Sequence, residues 1–435
     1  MVIHVVRKGD TVYGIGKRYG VPAESIIQAN QLADPAMLVI GQALAVPGDL
    51  FSYSVKKGDS MYSIARSFGV SLETLLAANP QIGNAARLQP GQTVIIPLPE
   101  PKLGEILVNG YVFPWVGERV LQDVLPYLTY VSVFSYRAGS DGSLSDMDAS
   151  TVLAAAGKAG TAPVMTVTNI REGAGFSSGL AHDILTDEGT QTALIGNISK
   201  TMKAKGYRVL NLDFEYLYPE DRENYVAFVA RAAAVLRPQG YTVSVALAPK
   251  TSADQPGLLY EAHDYAALGA EADQVILMTY EWGYLYGPAM AVAPVNQVRR
   301  VLDYAVSDIP AGKILMGMPN YGYDWTLPFV RGSAARVLTN NGAVRLAAEK
   351  GAIIRYDPVA QAPYFHYYDA AGKRHEVWFD DPRSIQARLE LVSEYQLAGV
   401  SYWTVNNFCA ANWTVLSAMY SIKKLPVENG GQKTE

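Results

Sequence analysis

One cysteine, Cys409, stands in 435 residues, so no disulfide within the chain and no cysteine-based metal site can form. The histidines His4, His182, His263, His366 and His375 are scattered without the close spacing of a metal centre. Each is expected to be an ordinary surface or hydrogen-bonded group, and neither metal nor cofactor is expected. No apolar run approaches the length of a membrane span, so no membrane contact is expected. Met1-Val2-Ile3-His4-Val5 lacks the basic and apolar regions of a secretory signal. There is no Lys/Arg run either, and the net charge is only −5, which argues against nucleic acid as a partner. What is present is a folded-protein composition, 49% hydrophobic and 18% charged, on a chain too long for one ordinary core. The 28 tyrosines offer flat apolar faces with a polar edge, suited to stacking on sugar rings, although many must simply be core.

The first hundred residues repeat. Val5-Val6-Arg7-Lys8-Gly9-Asp10-Thr11-Val12-Tyr13-Gly14-Ile15 aligns with Ser54-Val55-Lys56-Lys57-Gly58-Asp59-Ser60-Met61-Tyr62-Ser63-Ile64, and Asn30 aligns with Asn79. A repeat occurring only twice marks tandem modules rather than a solenoid. Each copy reads strand, helix, helix, strand: Asp10-Thr11 and Asp59-Ser60 are helix N-cap material, and Gly20 and Gly69 are helix stops. Residues 1–48 and 51–98 are therefore two small domains, followed by a short Pro-rich linker at 98–102, stiff rather than flexible.

Beyond the linker, short apolar runs alternate with helical patterns. Strands are expected near 106–112, 129–135, 163–168, 208–215, 242–248, 274–280, 313–319 and 399–404, with helices such as 222–236 and 384–395 between them. Eight such strands within residues 99–428 predict a (β/α)8 barrel, an α/β fold. A doubly wound sheet is the alternative, but no Gly-x-Gly-x-x-Gly fingerprint follows the first strand. The long stretch between strands seven and eight, about 325–380, reads as an inserted α+β subdomain with a hairpin over 364–368 and 375–379.

Within the fourth strand, polar side chains recur at every second residue: Asn211, Asp213 and Glu215. Alternation sends them to one face and Leu210, Leu212 and Phe214 to the other. An inward polar row is costly unless hydrogen-bonded or used in chemistry. Barrel enzymes carry their catalytic groups at the carboxyl ends of strands. Those ends here present Asp213 and Glu215, then Lys250, Tyr280 and Glu281, Asn320 and Tyr321, and finally Trp403. Carboxylates with aromatic groups at one mouth fit glycoside hydrolysis, with an acid for the leaving oxygen and a flat floor for the sugar. Taken singly, Trp403 and Tyr280 would be core, Lys250 a salt-bridge partner and Cys409 a small buried apolar group.

Two resemblances extend this. The repeat resembles the LysM module through Gly-Asp-Thr/Ser-x-Tyr-x-Ile, the mid-module Asn and the Gly-Gln…Ile/Val-Pro ending. That resemblance implies binding of N-acetylglucosamine-containing glycans such as peptidoglycan or chitin. The groove would lie between residues 9–12 and 31–32 in the first copy and between 58–61 and 80–82 in the second. Gly9, Asp10, Thr11, Gly58, Asp59 and Ser60 are the glycan-binding candidates it names. The large unit resembles glycoside hydrolase family 18, whose strand-four motif Asp-Gly-x-Asp-x-Asp-x-Glu stands here as Arg208-Val209-Leu210-Asn211-Leu212-Asp213-Phe214-Glu215. Met278-Thr279-Tyr280-Glu281 and Met316-Gly317-Met318-Pro319-Asn320-Tyr321-Gly322 match further motifs. The Ser-x-Gly-Gly of strand three is replaced by Thr166-Val167-Thr168-Asn169. With LysM modules in front, the whole chain resembles the spore-cortex-lytic N-acetylglucosaminidases of that family.

The resemblance implies substrate-assisted retention. Glu215 would be the acid/base, Asp213 would hold the acetamido N–H, Tyr280 would donate to the acetamido oxygen, and Trp403 would floor the subsite. Asn211, Glu281, Asn320 and Tyr321 would contact or support the sugar. It further implies action on spore-cortex peptidoglycan by a monomer located at the spore's coat–cortex boundary. Three other readings stay open: a chitinase-like hydrolase, a hydrolase with Glu281 as covalent nucleophile, and a glycan-binding coat or wall protein on a degenerate barrel.

Overall fold

A computed structural model describes residues 1–48, 50–79, 82–83, 88–97 and 102–425. The linker residues 98–101, one wall of the second module's expected groove at 80–81, and the expected barrel end at 426–428 lie outside the described residues.

Each repeat folds as anticipated. The first comprises Val2–Val5, Val12–Tyr19, Ala23–Asn30 and Ala43–Val46, and the second Leu50–Ser54, Met61–Ser67, Leu72–Ala77 and Thr93–Pro97, with each module's two strands paired antiparallel. The conserved-looking letters of the repeat have local jobs. Thr11 caps its helix by accepting from the Gly14 N–H, and Ser60 forms a reciprocal capping box with Ser63. The Asp10 carboxylate accepts from the Arg7 N–H (2.8 Å) and that of Asp59 from the Lys56 N–H (2.7 Å), closing the turn before each helix. Asn30 replaces a missing strand partner: its amide donates to the Ile26 and Ala45 carbonyls and its oxygen accepts from the Ala45 N–H (2.8, 2.7 and 2.8 Å). Asn79 repeats this with Leu75 and Ile95. The modules share one apolar core in which Phe68 meets both Tyr19 and Tyr53 edge-on.

The large unit is a closed barrel of eight parallel strands: β1 (Gly104–Val112), β2 (Tyr130–Arg137), β3 (Ala162–Thr168), β4 (Val209–Asp213), β5 (Thr242–Leu247), β6 (Gln274–Leu277), β7 (Ile314–Pro319) and β8 (Gly399–Trp403). Each pairs with the next, and β8 closes on β1. Two boundaries differ from expectation: β4 stops at Asp213 and β6 at Leu277, because the chain there turns away from the sheet to form the cavity wall. Leu210, Leu212 and Phe214 pack outward into the core beneath the helix Arg222–Leu236, as alternation requires. Between β7 and β8 the insertion is a five-stranded antiparallel sheet with one helix, Asn340–Glu349, and includes the anticipated hairpin as Ala362–Tyr368 with Arg374–Trp378. No helix among the described residues is long and apolar enough to cross a membrane.

The first module is docked on the barrel rather than tethered to it. Gln31 Oε1 accepts from Ala410 N–H (2.8 Å) and Asn341 Nδ2 (2.9 Å), and Ile354 N–H donates to the Ile40 carbonyl (3.0 Å). Val39 enters the core of the insertion. At Gly41 (φ +86°) an added Cβ would lie 1.9 Å from the Ile354 carbonyl oxygen, so this approach requires glycine. Gly9 has nearly the same φ, +89°, but its Cβ would meet open space. Gly9→Ala should therefore cost only backbone strain, on the order of 1 kcal/mol. Gly41→Ala should melt several degrees lower than Gly9→Ala and open the module–barrel seam to limited proteolysis. Equal melting of the two variants would mean the docking contributes nothing.

Candidate active site

A cavity of about 790 Å³ opens at the carboxyl ends of the strands. Asp213, Glu215, Tyr280, Glu281 and Trp403 all line it, together with Tyr111 and Phe134. Five side chains singled out from strand ends thus converge.

Glu215 lies two residues past Asp213, after the strand has ended, and its backbone is set by other elements. The Asn169 side chain clamps it from both sides, accepting from the Glu215 N–H and donating to the Glu215 carbonyl, each at 2.9 Å. Phe214 is anchored between Tyr225 and Phe228, and its carbonyl accepts from His263. Because His263 Nδ1 accepts from the Ala248 N–H, its Nε2 carries the proton and donates to Phe214 (2.9 Å for each bond). Burial holds this imidazole neutral, its pKa lowered to about 4. Tyr216 then takes a left-handed φ of 54°, with its carbonyl bound by the Ser178 hydroxyl. Asn169 and His263 are positioning residues that the strand pattern did not reveal. Asn169 sits at the end of strand three, where a polar residue was visible but had no assigned use.

The two carboxyls are removed from water. Burial pushes Asp213 up to about 7, and one of its oxygens, Oδ1, has no hydrogen-bond partner among the described residues. Burial, followed by the nearby Asp213 charge, holds Glu215 well above the usual carboxylate range. Tyr280 faces both carboxyls, and burial with their charge keeps its phenol protonated. Its ring fits because residue 317 is glycine: a Cβ there would lie 2.8 Å from the Tyr280 ring and 2.5 Å from the Leu277 carbonyl. Trp403 is held edge-on by Phe134 (4.8 Å) and Tyr111 (5.4 Å).

Four other residues singled out from the sequence do not line this cavity. Asn211 is fully buried and lies under the cavity rather than in its lining: it accepts from Tyr111 OH (2.8 Å) and donates to Ser244 Oγ (3.1 Å). It braces Tyr111 and Ser244 from below. Asn320 donates to the Thr404 and Asn407 carbonyls (2.9 and 2.7 Å), bracing the loop after β8. Tyr321, with Tyr323, binds the Glu281 carboxylate instead of facing the cavity. Lys250 has no carboxylate partner among the described residues: its buried ammonium donates to the Ala253 and His263 carbonyls (both 3.0 Å). The two carbonyls take the place of a carboxylate partner, and burial lowers the Lys250 pKa. Gln255, Tyr260 and Tyr284 are further lining residues that no strand-end pattern could have supplied, since they come from loops.

In the modules, the side chains of Asp10, Thr11, Asp59 and Ser60 are occupied by turns and caps. Gly9 and Gly58, at φ of +89° and +93°, present bare backbone to open space.

A buried pair of carboxyls, a protonated tyrosine and an aromatic floor at the mouth of a (β/α)8 barrel define a glycosidase. The chain belongs to glycoside hydrolase family 18: the model of that family, Glycosyl hydrolases family 18, matches residues 164–407, and the LysM domain model matches 4–47 and 53–97. It is 42% identical over 431 residues to the cortical fragment-lytic enzyme of Bacillus subtilis (strain 168), covering 98% of this chain and 99% of that protein. The crystal structure of the spore cortex-lytic enzyme SleL from Bacillus megaterium QM B1551 superposes with a TM-score of 0.88 at 39% identity, over 98% of this chain and 99% of that one. A chitinase from Chromobacterium violaceum ATCC 12472 matches with a TM-score of 0.68 at 27% identity, over 72% of this chain and 98% of that one.

The burial of Asp213 has a measurable consequence for stability. An aspartate titrates near 3.9 when unfolded and here at about 7. The folded protein therefore holds the proton more tightly, and stability is lost as pH rises from about 4 to about 7. Asp213→Asn removes that loss. Its melting temperature should exceed that of the parent by several degrees at neutral pH, and the gap should close toward pH 4. An unchanged or pH-independent gap would show that Asp213 is not desolvated.

Proposed function

We propose that this chain hydrolyses N-acetylglucosaminidic bonds in spore-cortex peptidoglycan or its fragments by substrate-assisted, retaining catalysis. The observation that carries this reading is the desolvated Asp213–Glu215 pair facing Tyr280 in one cavity. Glu215, protonated near neutral pH, gives its proton to the departing glycosidic oxygen. The 2-acetamido oxygen of the same sugar attacks the anomeric carbon from the opposite side. Asp213 accepts the acetamido N–H and offsets the positive charge of the oxazolinium ion, and Tyr280 orients the acetamido oxygen by donating to it. The Glu215 carboxylate then activates water, which opens the ring and restores the original anomeric configuration. Trp403 supplies the face on which the sugar rests.

Asn211 brings no charge to Asp213, so burial raises the Asp213 pKa, and Asp213 is ionised when it offsets the oxazolinium charge. Glu281 is less suited to be a protein nucleophile, because its oxygens are engaged by the Tyr321 and Tyr323 hydroxyls. The substrate assignment draws on the cortex-lytic relatives and on the LysM pair, whose bare turns at Gly9 and Gly58 would seat N-acetylglucosamine units. On this reading the protein acts as a monomer at the coat–cortex boundary of the spore.

Glu215→Gln should lower kcat by about 10²- to 10⁴-fold on cortex fragments, assayed by reducing-sugar release, while sedimentation with cortex peptidoglycan is unchanged. Full turnover by this variant would reject the acid/base assignment. Asp213→Asn should lower kcat and also move the alkaline limb of the pH–rate profile to lower pH, because the charge that helps raise the Glu215 pKa is gone. An alkaline limb that stays in place would show that the two carboxyls do not interact.

A further inference from the structure

The catalytic cavity, about 790 Å³, spans the barrel mouth between two unlike walls. Tyr111, Phe134 and Trp403, on β1, β2 and β8, form its aromatic side. The far wall comes from the loops after β5 and β6 and from the helix Val295–Asp308, through Thr251, Gln255, Gln297 and Arg300. The closed strand order sets β5 across the barrel from β1, so the two walls face each other.

The far wall presents donors. Arg300 is the only cation among the described residues that line the cavity, against the carboxyls of Asp213, Glu215 and Glu281. Its Nη1 donates to Gln297 Oε1 (3.1 Å), and it forms no ion pair among the described residues. Arg299, the preceding residue of the same helix, is instead bound to both oxygens of Glu394. Because the Gln297 oxygen is engaged by Arg300, its Nε2 group is what remains to face the cavity. Gln255 repeats this: its oxygen accepts from the Thr251 N–H (2.7 Å) and hydroxyl (3.2 Å), which leaves Nε2 as a donor.

A guanidinium beside two amide NH2 groups, their own oxygens already engaged, suits a planar anion such as a carboxylate. The cavity carboxyls oppose such an anion less than their number implies. Burial raises the proton affinity of Asp213, Glu215 and Glu281, so they carry less negative charge than ionised carboxylates in water, while the guanidinium keeps its full charge. In a strand that alternates N-acetylglucosamine with muramic acid, each muramic residue bears a lactyl ether ending in a carboxyl, free or extended by an amino acid. Chitin-like strands have no such arm, and a muramic residue closed into a lactam has lost the charge.

We propose that Arg300, Gln297 and Gln255 form a carboxylate-binding subsite that selects strands in which the sugar next to the cleaved N-acetylglucosamine carries an acidic arm. The aromatic wall holds the unit that chitin and peptidoglycan have in common, and the donor wall reads the neighbour by which they differ. This rests on the hydrolase reading given above, whose catalytic groups line the same cavity.

The test uses the full chain and an N-acetylglucosamine–muramic acid tetrasaccharide in three forms: the free lactyl acid, its L-alanyl derivative and the uncharged lactyl amide. The readout is the ratio of KM for the amide to KM for each acid. The parent protein should give a ratio of about ten for one or both acids, the size of one charge-assisted contact, and the acid that gives it identifies the source of the carboxylate. The ratio should fall as ionic strength is raised. Arg300→Ala should bring it to about one, and Arg300→Lys, which keeps the charge but not the planar fork, should retain part of it. Ratios near one for both acids in the parent, or a ratio in Arg300→Ala equal to the parent's, would overturn the proposal. If the parent cleaves none of the three forms, the hydrolase reading fails instead, and the same ratios taken from calorimetric Kd values still decide the subsite.

Discussion

Keeping two carboxyls out of water at the end of one strand is the constraint on which the rest of this structure depends. Buried carboxylates are costly, and the ordinary remedies are ion pairs or several hydrogen bonds. Among the described residues neither is supplied to Asp213 Oδ1. The protein instead accepts raised proton affinities, and surrounding elements hold the geometry in which those affinities are useful. Asn169 from β3 clamps the Glu215 backbone, and His263, kept neutral by burial, ties down Phe214. Asn211, Tyr111 and Ser244 form an uncharged layer beneath. A cation in that layer would lower both proton affinities, and a carboxylate would raise them further. The neutral Asn211 therefore shifts the load from a carboxylate partner to desolvation.

The same economy appears in the modules. Their characteristic Asp, Thr/Ser and Asn residues are used up in turns, caps and a strand-mimicking amide, which leaves backbone at Gly9 and Gly58 as the exposed feature. The first module is further bound by Gln31, Ile40 and Gly41 to the barrel and its insertion. Its orientation relative to the catalytic cavity is thus set by hydrogen bonds and close packing.

Much of this is legible in the amino-acid sequence. Period-two alternation placed Asn211, Asp213 and Glu215 on one face, and the barrel rule assigned Tyr280 and Trp403 to the same mouth. The repeat revealed two modules because its turns and caps are local, and local chemistry is readable from short motifs. The unread parts are all non-local. Asn169 meets Glu215 from 46 residues away, and His263 meets Phe214 from 49; neither pair has a sequence signature. Asn320 and Tyr321 carried the right motif but point to a loop and to Glu281, because a strand-end position does not determine which neighbour a side chain finds. Lys250 was expected to pair with a carboxylate and instead found backbone carbonyls in a bend. The docking of the first module rests on Gln31 and Gly41, which look like ordinary helix-end and turn residues in sequence.

The central claim, that the sugar's acetamido oxygen rather than a protein carboxylate attacks the anomeric carbon, is tested most directly by varying that oxygen's nucleophilicity. The measurement is kcat/KM for aryl glycosides carrying N-acetyl, N-fluoroacetyl and N-trifluoroacetyl groups, with the anomer first released assigned by proton NMR. The account predicts a steep fall in rate with each added fluorine and a product that keeps the anomeric configuration of the substrate. Rates indifferent to fluorination, or a glycosyl ester accumulating on Glu281, would contradict it.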